Sequence, residues 1–128
     1  MYVMSETMGK TRHAIDYVEL TVSDLAAAKT FYGKAFGWTF NDYGPAYAGF
    51  IHPGRAGEAG GFHQDAAATA ATGSAPLVLL FSDALEESLA AVRWAGGAVT
   101  KEIFAFPGGR RFHFSDPSGN ELGVWSES

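Results

Sequence analysis

The 128-residue chain contains no cysteine. That excludes disulfides, thiolate metal sites and a cysteine nucleophile, and it suits a reducing compartment. No apolar run is long enough to span a membrane. The opening MYVMSETMGKTR lacks the apolar stretch of a signal peptide, so the expected location is the cytoplasm. Residues 1–13 are expected to be a frayed or vector-derived start. Basic residues are also scarce, 9 Lys and Arg against 14 Asp and Glu, for a net charge of −5. Lys10 to Arg12 and the Arg110-Arg111 pair are too short to track phosphates. Neither nucleic acid nor a membrane is therefore an expected partner.

What is present is an ordinary one-domain composition, 47% hydrophobic and 18% charged, with enough length to bury a core. Val18, Leu20 and Val22 alternate with Glu19 and Thr21, which is the period of a strand with one face on a core. Ser23-Asp24 then offers a helix cap. Leu25, Ala28, Phe31, Tyr32, Ala35 and Phe36 follow at helical spacing, and Gly37 stops the run. Residues 38–43, 46–52 and 58–64 are short runs broken by Gly44-Pro45 and Pro53-Gly54, as expected of antiparallel strands. Residues 65–75, rich in Ala, Thr, Gly and Ser, form a linker.

The pattern then repeats. PLVLLF (76–81) suits a buried strand, and Ser82-Asp83 should cap a second helix, with Glu86 completing a capping box behind Asp83. Leu85, Leu89, Val92 and Ala95 make its apolar stripe, and Gly96-Gly97 ends it. Residues 98–106, 110–115 and 120–125 give three more strands, the last two joined by the turn Asp116-Pro117-Ser118-Gly119. The expectation is an α+β domain over 14–126, built from two βαβββ modules (14–64 and 76–126).

SDLAAAKTFYGKAFGW, the Gly96-Gly97 pair, DPSGNELGVW and the duplication together resemble the vicinal oxygen chelate superfamily, which holds glyoxalase I, extradiol dioxygenases and bleomycin resistance proteins. The resemblance covers residues 14–126 and implies a half-open barrel with a shared cavity. It also implies small-molecule binding and a homodimer. Metal-dependent members place His, Glu or Gln on the first and last strands of each module. Those positions here are Tyr17, Leu77 and Gly123, with the fourth among Gly60, Gly61, Phe62 and neighbouring His63. Leu and Gly carry no ligand atom and neutral Tyr is a poor one, so no metal cofactor is expected.

Strand alternation supplies other candidates. Tyr17, Glu19 and Thr21 share one face, as do Glu121, Gly123 and Trp125. If both faces line the cavity, Glu19 and Glu121 are candidate catalytic carboxylates, beside Tyr17 and Trp125 as ligand-binding aromatics. Phe62, His63 and His113 complete the candidate ligand-binding set. Each has a plainer reading: Glu19 as a solvated edge residue, Glu121 as a turn acceptor, His63 as surface, His113 as a packed side chain between Phe112 and Phe114. Three functions stay open. The first is a metal-independent small-molecule binder, with proton transfer by Glu19 or Glu121. The second is a lyase, isomerase or dioxygenase with Zn, Ni, Mn or Fe on ligands relocated to Glu19, His63, His113 and Glu121. The third is a non-catalytic interaction domain.

Overall fold

The computed structural model describes residues 12, 15–67 and 76–128. The expected start over 1–13 and linker over 65–75 lie, apart from Arg12 and residues 65–67, outside the described residues. The first module runs β1 (Val18–Val22), α1 (Leu25–Phe36), β2 (Thr39–Asp42), β3 (Tyr47–Ile51) and β4 (Gly60–Gln64). The second runs β5 (Val78–Phe81), α2 (Leu85–Trp94), β6 (Ala98–Phe106), β7 (Gly109–Ser115) and β8 (Glu121–Ser126). Each module folds into its own four-stranded sheet, ordered β1-β4-β3-β2 and β5-β8-β7-β6. In both, the first strand pairs parallel with the last, and the hairpin strands between them are antiparallel. The duplicated order read from the sequence is the observed order.

One aromatic core joins the modules. Tyr32 stacks on Trp38 with ring centroids 4.7 Å apart, and Trp38 stacks on Phe50 at 4.6 Å. From α1, Phe31 reaches Phe114 of β7 at 5.9 Å. Phe112, Phe114, Leu122 and Val124 are fully buried in the second sheet. Each such side chain removed from water contributes about 1.5–3 kcal/mol.

The DPSGN turn clasps the two modules. Asp116 is buried, and its Oδ1 accepts from the backbone amides of Ser118 and Asn120, both at 2.9 Å. Its Oδ2 accepts from the Tyr32 hydroxyl of α1 at 3.0 Å. Ser118 Oγ accepts from the Ser23 amide at 2.8 Å, and Asn120 Nδ2 donates to the Thr21 carbonyl at 2.9 Å. Three side chains of one turn thereby hold the end of β1, the β1–α1 junction and the body of α1.

The helix ends follow sequence chemistry in the first module and depart from it in the second. Asp24 caps α1 by accepting from the Ala27 amide, and Gly37 closes it at φ 73°. A side chain rarely adopts that backbone conformation, so glycine suits the stop. In α2 the cap position is Ala84, with no side-chain cap. The expected Asp83–Glu86 capping box does not form. Ser82 Oγ instead accepts from the Ala84 amide and from Ser88 Oγ, while Glu86 binds Arg110. The box is lost because Glu86 is drawn to Arg110 instead. No helix among the described residues is long and apolar enough to cross a membrane.

Candidate functional site

Each sheet turns one face to the helices and leaves the other open. Alternation assigns the residues. On the first sheet the open face carries Glu19, Gly61, Gly49 and Asn41 in one cross-strand row. Thr21, His63 and Tyr47 form the next row. On the second sheet one row is Phe81, Trp125, Arg111 and Phe104. The next is Leu79, Gly123, His113 and Lys101.

The open face of the first sheet is polar and saturates its own hydrogen bonds. The Tyr17 and Tyr47 hydroxyls meet at 2.6 Å over Gly61. Burial, then the bond to Tyr17, then Glu19, push the Tyr47 phenol well above its ordinary range. Glu58 lies over Gly49 and accepts from Asn41 Nδ2 at 2.9 Å and from the Tyr43 hydroxyl. The Tyr43 bond, then the Asn41 bond, lower the Glu58 carboxyl below the ordinary carboxylate value.

The register also settles which residue of AGGFHQ stands where the family's fourth ligand would be. Glu19 pairs with Gly61 as Leu79 pairs with Gly123. Tyr17 and Leu77 each stand two residues before those partners, so the matching quartet is Tyr17, Gly61, Leu77 and Gly123. A Cβ at Gly61 would lie 2.1 Å from the Tyr47 hydroxyl oxygen, and one at Gly123 would lie 2.5 Å from Leu79 Cδ2. These residues do not fit the family's metal: two lack side-chain atoms, one is aliphatic, and neighbours fill the space a ligand side chain would need.

The open face of the second sheet is aromatic and carries the chemistry. His113 is only 5% exposed, although it lies on the face opposite Phe112 and Phe114. Its Nδ1 lies 3.3 Å from Glu121 Oε2, which also accepts from Thr100 Oγ1 at 3.2 Å. A carboxylate beside Nδ1 makes that nitrogen the donor, which in the neutral imidazole leaves Nε2 as an acceptor. Nε2 is buried with no partner. Phe104 packs against the imidazole with ring centroids 5.6 Å apart, and Trp125 touches Phe81 and Phe106 at 5.3 and 6.3 Å. The Leu79 side chain and the His113 ring lie over Gly123, so the centre of this floor is covered. Phe81 is 58% exposed and Leu79 37%, so in one chain the floor is open to solvent.

The structure thus joins His113 to Glu121 and Tyr17 to Glu19 through Tyr47, but Glu19 and Glu121 lie on different sheets. His63 is exposed on the first sheet's open face. Phe62 is fully buried against Tyr32, Trp38 and Phe50, because in this register it faces α1 while Gly61 and His63 face away. Phe62 is a core residue, and the expectation of a ligand contact there is corrected. Glu19, His63, His113 and Glu121 are not gathered into one site, and no group of three or more His, Asp or Glu placed to hold a metal ion occurs among the described residues. The sequence reading missed Arg111, although its two-residue spacing from His113 on one strand signals a shared face.

Two clefts run between the modules, of about 710 and 230 Å³. The larger is lined by Phe36, Trp38, His52, Leu80 and Ser88 among others, and the smaller by Tyr17, Trp38, Phe50 and Leu79 among others. Size favours the larger, yet its Ser82 and Ser88 hydroxyls already bond each other at 2.7 Å. Unsatisfied polar chemistry converges instead on the His113 floor.

The comparisons agree with this architecture. The Glyoxalase/Bleomycin resistance protein/Dioxygenase superfamily profile matches residues 14–124. A family enzyme from Burkholderia phytofirmans PsJN is similar at TM-score 0.74 and 18% identity, over 89% of this chain and 98% of that one. A glyoxalase/dioxygenase from Nostoc punctiforme reaches 0.73 at 15% identity, over 98% and 97%. TnmS3, an antibiotic binding protein from Streptomyces sp. CB03234, reaches 0.69 at 26% identity, over 94% and 99%. No curated protein matches the chain.

Proposed function

Because the chain belongs to the glyoxalase/bleomycin resistance protein/dioxygenase superfamily, we propose that it binds a small organic molecule on the aromatic open face of its second sheet, without the family's metal. The observation that carries this reading is the buried His113–Glu121 pair with its unpartnered Nε2. An orphaned buried acceptor costs about 1–3 kcal/mol. A ligand donor that displaces the flexible Leu79 side chain from over Gly123 removes that cost. The same dyad can take a proton from a bound acid, with Glu121 stabilising the imidazolium, so proton transfer is the chemistry this site supports. The antibiotic-binding relative supports the binding part of the reading.

A second copy of the chain completes the enclosure. A closed two-fold dimer, with the ligand held between the facing sheets, covers the open face of the second sheet. Leu79 and Phe81 are covered with it.

The test uses Nile red, an uncharged planar dye, with chelator-stripped protein. Saturable binding of one dye per chain, lost in Trp125→Ala and in Gly123→Leu, supports the reading. Binding indifferent to both variants overturns it. Sedimentation velocity reads the dimer, and a monomer at the binding concentration overturns that part.

A further inference from the structure

We infer that the ligand is a planar organic anion, an aromatic carboxylate bearing a ring hydroxyl or N–H, anchored by Arg111 and donating its proton-bearing group to His113 Nε2. The inference rests on the binding site proposed above and names the chemistry that site selects.

Arg111 is the unusual arginine of this surface. Its guanidinium carbon lies 4.9 Å from the Phe106 ring centroid and 5.3 Å from that of Phe104. Its Nε is buried and has no hydrogen-bond partner. No carboxylate pairs with it among the described residues. Its neighbour Arg110, on the opposite face, binds both carboxylate oxygens of Glu86 at 2.6 and 3.3 Å and the Ser128 carbonyl at 3.0 Å. Arg93 likewise pairs with Glu102. Two phenyl rings orient the Arg111 fork and strip part of its water, and among the described residues no carboxylate compensates. The Lys101 ammonium, 6.0 Å from the same Phe104 ring, adds to the positive field. The nearest acid on this face, Glu121, pairs with Ser115, four residues along β7 from Arg111. Its carboxylate is turned to His113 and Thr100 and does not pair with the guanidinium.

Arg111 and His113 are two residues apart on one face, so their Cα positions lie about 6.7 Å apart along the strand. A single ring with a carboxylate at one end and a donor at the other is of that length. Trp125, opposite Arg111, gives it an aromatic wall. A planar carboxylate also matches the two-pronged guanidinium.

The probes are 4-hydroxybenzoate and its uncharged counterpart 4-hydroxybenzamide, titrated calorimetrically into the whole protein. The expected result is tighter binding of the carboxylate by about tenfold or more. Arg111→Gln should erase that preference, weakening the carboxylate far more than the amide, Arg111→Lys should retain part of it, and Lys101→Gln should weaken it slightly. Equal affinity for the two probes overturns the inference, as does a preference that survives Arg111→Gln. Nile red bound at Trp125 with no heat from 4-hydroxybenzoate at about 1 mM overturns the ligand class and leaves the site standing. Failure of Nile red itself rejects the site.

Discussion

The Tyr32 hydroxyl donates to Asp116 Oδ2 across 3.0 Å, from the helix of the first module to the last turn of the second, 84 residues away. The bond is buried and sits where the two modules share one core. Asp116 holds its own turn with two backbone amides, so the carboxylate is oriented before Tyr32 reaches it. Asn120 Nδ2 also donates to Asp116 Oδ2, at 3.1 Å, so Tyr32→Phe removes one hydrogen bond without stranding the acceptor and should cost about 1 kcal/mol. Asp116→Ala should cost more, because it removes the tyrosine's acceptor together with the turn's. Urea unfolding of the two variants checks the order.

The same tyrosine predicts an alkaline weakness. Burial, then the Asp116 charge and hydrogen bond, raise the Tyr32 phenol well above its ordinary value. A group whose folded pKa is raised contributes its full stability below the unfolded pKa, about 10 for tyrosine, and loses it as pH climbs toward the folded value. Urea midpoints should be flat in this contribution up to about pH 10 and fall above it. The fall should be shallower in Tyr32→Phe. An unchanged slope in the variant would assign the alkaline loss to other groups, the raised Tyr47 first among them.

Gly123 makes a steric prediction. A Cβ there would stand 2.5 Å from Leu79 Cδ2 and 3.2 Å from His113 Cδ2. Leu79 is a flexible side chain on the edge strand and can swing away. Gly123→Ala should cost about 1–3 kcal/mol, the usual range for overpacking, and Leu79→Ala in the same chain should recover much of it. Additive losses in the double variant would mean that the His113 ring or the backbone is the true obstacle.

The particular residues explain what the sequence could and could not tell. Strand alternation correctly put Leu122 and Val124 on the core and Glu121, Gly123 and Trp125 opposite, because each strand has one apolar face. It failed at AGGFHQ, where two glycines erase the alternation, and only the pairing of Glu19 with Gly61 assigns Phe62 to the core. Nothing local marks Asp116 as a clasp, since Tyr32 is remote in sequence. Shared faces within one sheet were readable. Whether two faces of different sheets meet was not, so Glu19 and Glu121 came out apart while His113 and Glu121 came out together. Arg111 was passed over as half of a short basic pair, although strand period separates it from Arg110 at once.

A residue kept for binding rather than stability should be cheap to replace. His113 is 5% exposed, yet its Nε2 bonds nothing, and its Nδ1 contact with Glu121 is a long 3.3 Å. His113→Phe fills a similar volume between Phe104 and Gly123 and removes the orphaned acceptor. It gives up one modest hydrogen bond, worth about 1 kcal/mol. The two effects nearly cancel, so the variant should unfold within about 1 kcal/mol of the parent and keep Nile red, which has no proton to donate, while losing 4-hydroxybenzoate binding. Glu121→Gln keeps a carbonyl oxygen for the imidazole but cannot stabilise its protonated form. It should spare uncharged-dye binding and impair any proton transfer the site performs. If instead His113→Phe costs several kcal/mol, the histidine is a structural part of the sheet, and the Nε2 atom no longer marks a ligand.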